Sequence, residues 1–209
     1  MTSATSQDPR VLRNRAVVNA AALRLLADEG LSGLSIERLA EQSGVSRSTI
    51  YRNWPDLRAL VLTAFDDLVH TMSPQRTPSG DFDADLMAYL RDYARRLNDP
   101  SYTAVIIAII EWSWRDREFA EEHGRIFDDT RSRAAGILRD ALASGRVRPD
   151  LNIGEGVEQI VAPFLYRRLV LRRVLSSRDI EALHCRLLKQ LAPRPRGGTD
   201  PARDGAARP

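Results

Sequence analysis

The sequence predicts an all-α protein of nine or ten helices. Apolar residues recur at spacings of three, four and seven along most of the chain, while Gly, Pro, Ser and Asp mark the breaks. No segment sustains the alternation of a half-buried strand. The 209 residues are 43% hydrophobic and 28% charged, enough for one large domain or two small ones with a packed core.

Residues 1–8 are polar and predict a disordered N-terminus. From Pro9 to Glu29 the positions Val11, Val18, Ala21, Ala22, Leu25 and Leu26 form one apolar face, and Gly30 stops that helix. A second helix runs from about Ser35 to Ser43, capped by Ser35, with Leu34 able to staple onto Leu39. Gly44 supplies the turn, Ser46 caps a third helix to residue 53, and Pro55-Asp56 open a fourth to about Thr71. Residues 73–80, SPQRTPSG, read as a linker between a domain at 9–72 and one at 81–191. Further helices are predicted at 82–98, 101–114, 116–144 with a break near 121–124, 154–174 and 177–191. The tail 192–209 is Pro-, Gly- and Arg-rich and predicts disorder.

Composition limits the function classes. Net charge is only +3, and of the 31 basic residues only Lys189 is lysine. Arginine favours bidentate contacts to phosphate and base edges, although an arginine-biased genome gives the same skew. Cys185 is the single cysteine, which excludes an internal disulfide and suits a reducing cytoplasm. The N-terminus lacks the apolar core of a signal peptide. The longest apolar run, Ala104 to Ile110, is far shorter than the ~20 residues of a membrane span.

The stretch GVSRSTIYRNWP, residues 44–55, concentrates hydrogen-bonding side chains on a short helix. With Arg47 taken as zero at about 100° per residue, Tyr51 falls near roughly 40°, Ser48 near roughly 100° and Arg52 near roughly 140°. Ile50 falls near roughly 300°, toward the preceding helix. Two short helices around a Gly turn make a helix-turn-helix (34–53), whose second helix can enter a DNA major groove. A solvated face on an ordinary helical hairpin would have the same pattern.

Residues 34–65, LSIERLAEQSGVSRSTIYRNWPDLRALVLTAF, resemble the DNA-binding helices of the TetR (tetracycline-repressor-like) family. The resemblance rests on Ile36, Leu39-Ala40, Gly44-Val45-Ser46, Thr49, Tyr51, Trp54 and Leu60, and extends over about residues 9–72. Residues 145–170 look like the loop and penultimate helix of one branch of that family. The resemblance implies a homodimer, each subunit with a three-helix reading head on a helical-bundle body, acting on a double-stranded DNA operator under an unknown small-molecule effector. By position it makes Arg47, Ser48 and Arg52 base-contact candidates, and Ser35, Thr49, Tyr51 and Asn53 phosphate-contact candidates. Two departures stand out. Asn53-Trp54 replaces the family's usual His-Phe or Arg-Trp, and Leu57 occupies the place of a lysine that supports phosphate binding. Residues 1–72 hold eight arginines and eight acidic residues, but Arg10, Arg13, Arg15 and Arg24 make the first helix locally basic.

In the body, 102–115 is apolar nearly all round, which predicts a central helix. Met87, Tyr89, Trp112, Phe127 and Tyr166, with Trp114 and Phe119, are candidates to line a ligand cavity or simply to fill the core. Glu111 is read as a buried carboxylate that needs a ligand amine or an internal arginine. The last two helices are expected to form the dimer interface through Ile160, Phe164 and Leu169 and through Leu183 and Leu187. No catalytic, metal or cofactor site is predicted: His70, His123 and His184 are scattered, and there is no Gly-rich phosphate loop. Two other readings stay open at this level. One is a helical ligand-binding protein whose helix-turn-helix does not bind DNA; the other is an all-α enzyme using the acidic cluster at 118–129.

Overall fold

The computed structural model describes residues 9–72, 77–123 and 128–193. The expected disorder of 1–8 and of the tail from 194, and the candidate Phe127, lie outside the described residues, as does part of the linker. Ten α-helices and no strand are found among the described residues.

The head is built from four helices. α1 (Pro9–Glu29) buries Val18, Asn19, Ala21, Ala22, Leu25 and Leu26 on one face. A short 3-10 turn, Leu31–Gly33, follows; the sequence pattern did not reveal it. Gly33 is required there, because a Cβ would lie 2.5 Å from that of Glu29. Arg38 closes the corner by pairing with Glu29, a hydrogen bond that holds the Glu29 carboxyl below its ordinary range. α2 (Ile36–Ser43) starts on Ser35, whose hydroxyl accepts from the Arg38 N–H. It ends at Gly44 in the left-handed region, φ 68°. α3 (Arg47–Asn53) is capped by Ser46, and α4 (Leu57–Met72) by Asp56, which accepts from the Ala59 N–H at 2.8 Å.

The body comprises α5 (Phe82–Asn98), α6 (Pro100–Arg115), α7 (Arg117–His123), α8 (Asp128–Ala143), α9 (Ile153–Leu165) and α10 (Ser177–Leu191). Asp99 ends α5 and caps α6, with Pro100 in the first turn, where its missing N–H is harmless. The expected helix over 116–144 is two helices, α7 and α8, on either side of 124–127. α6 packs against α1, α4, α5 and α7, so it is central as expected. It is not enclosed all round, since Ile107, Ile110 and Trp114 remain exposed. One apolar core runs without a break from Val18 in α1 to Leu191 in α10.

The predicted helix over 154–174 ends early. Pro163 lacks the N–H that would continue the ladder and crowds the preceding turn. The chain widens into a π-turn at Tyr166–Val170, closed by the Leu171 N–H on the Tyr166 carbonyl at 3.1 Å. Arg172 then takes φ 53°, and residues 171–176 leave the helix. The Asn98 amide pins this connection, donating to and accepting from the Leu175 backbone, both at 2.9 Å. Ser176 and Asp179 restart the chain with a reciprocal capping box on α10.

The expected interface residues need correction here. Ile160, Phe164, Leu183 and Leu187 are each at most 1% exposed within a single chain. They join α9 and α10 to α5 and α8, so these side chains are consumed by the chain's own core. Leu169 is half-buried against the same core.

Candidate nucleic-acid interface

α3 is anchored by what it buries. Ile50 is fully buried, Trp54 at its end is 2% exposed, and Val45 before it is 9% exposed. This fixes the helix rotation and turns Arg47, Ser48, Tyr51 and Arg52 to solvent together, with Tyr51 56% exposed. The angular reading of the sequence places the same four residues on one arc. Arg47 is only lightly held, 3.6 Å from Glu37 with both groups well exposed. The Ser46 hydroxyl lies 3.1 Å from the Ser48 Oγ and 2.9 Å from the Thr49 Oγ1, which gathers three hydroxyls at the helix start. Thr49 is half-buried, and Ser35 is half-buried at the start of α2. The Asn53 amide folds back and donates to the Thr49 carbonyl at 2.8 Å, so its N–H serves the helix end. This surface offers two guanidinium groups, a phenol and small hydroxyls, a donor set suited to phosphates and base edges.

The first helix also carries basic residues. Arg13 and Arg24 are exposed, whereas the Arg15 guanidinium lies 5.9 Å over the Trp54 ring. Arg15 thus braces the end of α3.

The expected cavity residues do not converge. A cavity of about 900 Å³ opens between the end of α4, residues 77–79, α5 and α8, and Tyr89 lines it. Met87 instead lines a neighbouring cavity of about 460 Å³. Met87 and Tyr89 stand about 200° apart on α5 and line different cavities. Glu111 lines a third cavity of about 300 Å³ with Ile107 and Arg168. Its carboxylate is half-exposed and pairs at 2.8 Å with Arg115 one turn on, so it is not a buried charge. Trp112 is spent in the core, edge-on to Phe119 at 5.7 Å. Tyr166 and Trp114 are 56% and 87% exposed and line none of these cavities.

The reading of the residues missed two clusters. Asp92 in the wall of the large cavity is shared by Arg95 at 2.6 Å, Arg96 at 3.4 Å and Arg133 at 3.3 Å. The spacing of 92, 95 and 96 would have signalled it on a helix. At the junction of head and body, Arg58 of α4 pairs with Asp116 and stacks 5.2 Å over Phe119. The Phe119 N–H and this guanidinium hold the Asp116 carboxyl below its ordinary range. Nothing in the local sequence pattern links residues 58 apart. Among the described residues no group of three or more His, Cys, Asp or Glu side chains is arranged for a metal ion. No helix of the described residues is long and apolar enough to cross a membrane.

Residues 19–64 match the bacterial regulatory proteins of the tetR family, and residues 76–186 match the tetracyclin repressor-like C-terminal domain. The chain belongs to the TetR family. It is a helix-turn-helix DNA-binding transcriptional regulator and not an enzyme. It is 28% identical over 163 residues to YdeS, an uncharacterized HTH-type transcriptional regulator of Bacillus subtilis (strain 168), covering 78% of this chain and 81% of the relative. The TetR family transcription regulator SCO0332 superposes with a TM-score of 0.64 at 30% identity, over 87% of this chain and all of that one. The fold is also shared with FadR of Bacillus subtilis, solved in complex with stearoyl-CoA, with a TM-score of 0.61 at 16% identity over 85% and 97% of the two chains.

The departure from the TetR pattern at Leu57 has a structural account. Leu57 is half-buried and packs on the core, so the family's lysine position has become a packing position. Arg58 does not replace that lysine, since Asp116 and Phe119 hold it on the body side of α4.

Proposed function

We propose that this TetR-family regulator is a ligand-responsive repressor that binds a palindromic operator as a homodimer in the cytoplasm. One observation carries the reading: burial of Ile50 and Trp54 leaves Arg47, Ser48, Tyr51 and Arg52 on one free arc of α3. Arg47 and Arg52 reach base edges, while Thr49, Tyr51 and Ser35 meet phosphates and set the register. Asn53 contributes through its carbonyl oxygen and backbone more than through its N–H, and exposed Arg13 and Arg24 supply phosphate contacts that Leu57 cannot.

The dimer contact is best supported on the outer side of α9 and its π-turn. Val161, Ala162, Leu165, Tyr166, Leu169 and Val170 follow a helical stripe from half-buried to exposed. A twofold-related copy placed on this stripe sets two α3 helices against successive major grooves. An effector in the body favours a different head spacing, and operator affinity falls by its differential binding to the two states.

The test is selection of genomic DNA fragments by the purified protein at two salt concentrations, then footprinting of the enriched fragments. Two protected half-sites related by a dyad are expected. Only diffuse binding that salt erases would mean that the head does not read sequence.

A further inference from the structure

The cavity of about 900 Å³ in the body has a wall that DNA reading does not use. On α5 the residues Ala84, Ala88, Arg91 and Arg95 follow one another on a single face of this cavity. Across from them α8 presents Arg133, Gly136 and Ile137. Arg95 and Arg133 both hold Asp92, whose side chain is 15% exposed and which also faces buried Arg96. One carboxylate is therefore shared among three guanidinium groups. A second lining carboxylate, Asp85, is already occupied, accepting from the Ser79 N–H and hydroxyl and the Gly80 N–H. Asp140, the third, is an exposed residue near the end of α8. The lining is balanced in formal charge, three aspartates against three arginines. With Asp85 spent on residues 79–80 and Asp140 turned to solvent, however, the guanidinium groups of Arg91, Arg95 and Arg133 are the groups placed to meet a negative guest.

Apolar lining comes from Met72, the Ala84 and Ala88 methyls, Ile137 and the Tyr89 ring, beside the hydroxyl residues Thr71, Thr77 and Ser79. Gly136 adds room: a Cβ there would meet no atom within 4 Å. A glycine inside a helix is less favourable than alanine, so the space is kept at some expense of helix propensity.

We propose that this cavity binds an apolar organic molecule bearing one carboxylate. Arg133 and Arg95 take the carboxylate, Asp92 positions both guanidinium groups, and the apolar body lies along Ala88, Ile137 and the space beside Gly136. Arg91 draws the anion in from solvent. This assignment rests on the effector reading above and names the class of effector.

The test uses the full chain without DNA and matched sets of acid, alcohol and amine on decyl, naphthyl and steroid bodies. Binding is read by calorimetry and thermal shift. At least one acid is expected to bind on the order of tenfold tighter than its alcohol, with the amine weakest. Arg133→Gln should reduce the acid's affinity by about tenfold and leave the alcohol's unchanged. Gly136→Trp should abolish acid binding with an unchanged circular dichroism spectrum. If Arg133→Gln does not fold, Arg95→Gln takes its place. An alcohol or amine that binds as well as its acid, or the absence of binding by every acid, overturns the proposal. Operator binding by the unliganded protein is measured separately, so failure of DNA reading and failure of the carboxylate site are told apart.

Discussion

Arg47 and Tyr51 share one arc of α3 but have different reach. In the proposed docking, the Arg47 guanidinium near the start of the helix pairs bidentately with a guanine edge and the Tyr51 phenol one turn later meets a phosphate oxygen. Arg47→Ala should cost about 1–3 kcal/mol at one base position and relax preference there, whereas Tyr51→Phe should weaken all sequences alike. Binding to operator variants in parallel checks both, and a uniform loss for Arg47→Ala would contradict the assignment. Arg172 poses a backbone problem instead. It has φ 53°, where a side chain costs about 1–2 kcal/mol over glycine. Its side chain is exposed and has no packing to lose. Arg172→Gly should therefore stabilise the chain by about 1 kcal/mol in denaturant unfolding, partly offset by the unfolded-state entropy of glycine. The arc of α3 was legible in the sequence because one buried isoleucine fixes the rotation of a short helix. The body residues were not legible, because Met87, Tyr89, Glu111, Trp112 and Tyr166 lie on two helices and a turn whose rotations depend on tertiary packing.

Helix starts in this chain are written in local chemistry, with Ser35, Ser46, Asp81, Asp99, Asn152 and Ser176 each accepting a backbone N–H in the following turn. That is why most elements could be placed from sequence to within a residue or two. The exception is the end of α9, where the apolar period continues past the point at which Pro163 and the π-turn end the helix. Periodicity does not report a change of helical register. Four of the five expected interface residues, Ile160, Phe164, Leu183 and Leu187, are buried within the single chain for a related reason. An amphipathic face shows that a helix buries one side, but not whether its own chain or another covers it. The connection after the π-turn depends on Asn98, which holds Leu175 by two hydrogen bonds beside the buried Leu175 side chain. Asn98→Ala should leave that backbone N–H and carbonyl unsatisfied and destabilise the protein by about 1–3 kcal/mol. Amide exchange should accelerate first at 171–176 and the start of α10. Unchanged protection there would mean that the clamp carries no weight.

At the scale of the whole molecule, reading head and body share one core, and this predicts how the protein fails in alkali. Tyr89 and Tyr93 stack at 6.0 Å, and Tyr93 packs 6.1 Å from Phe164, in the middle of the body. Burial pushes both phenols well above the ordinary value of 10.0, with nearby Arg96 offsetting part of the effect. The folded state therefore prefers the neutral phenol more than the unfolded chain does. A raised value in the fold means that its stability contribution is complete below about pH 10 and is lost as pH rises above it. Because the core is continuous through α1, α4 and α6, the head should not survive this loss as a separate unit. On alkaline titration the phenolate absorbance of these tyrosines should rise together with loss of helical circular dichroism. Exposure of Trp54 in the head and Trp112 in the body should follow the same curve. Replacing both tyrosines by phenylalanine should move the transition to higher pH. Phenolate formation by Tyr89 and Tyr93 is read as the difference from the double phenylalanine variant, because Tyr51 and Tyr166 are exposed. If it precedes helix loss, the two rings reach solvent in the native state. Separate Trp54 and Trp112 curves would show that head and body unfold independently.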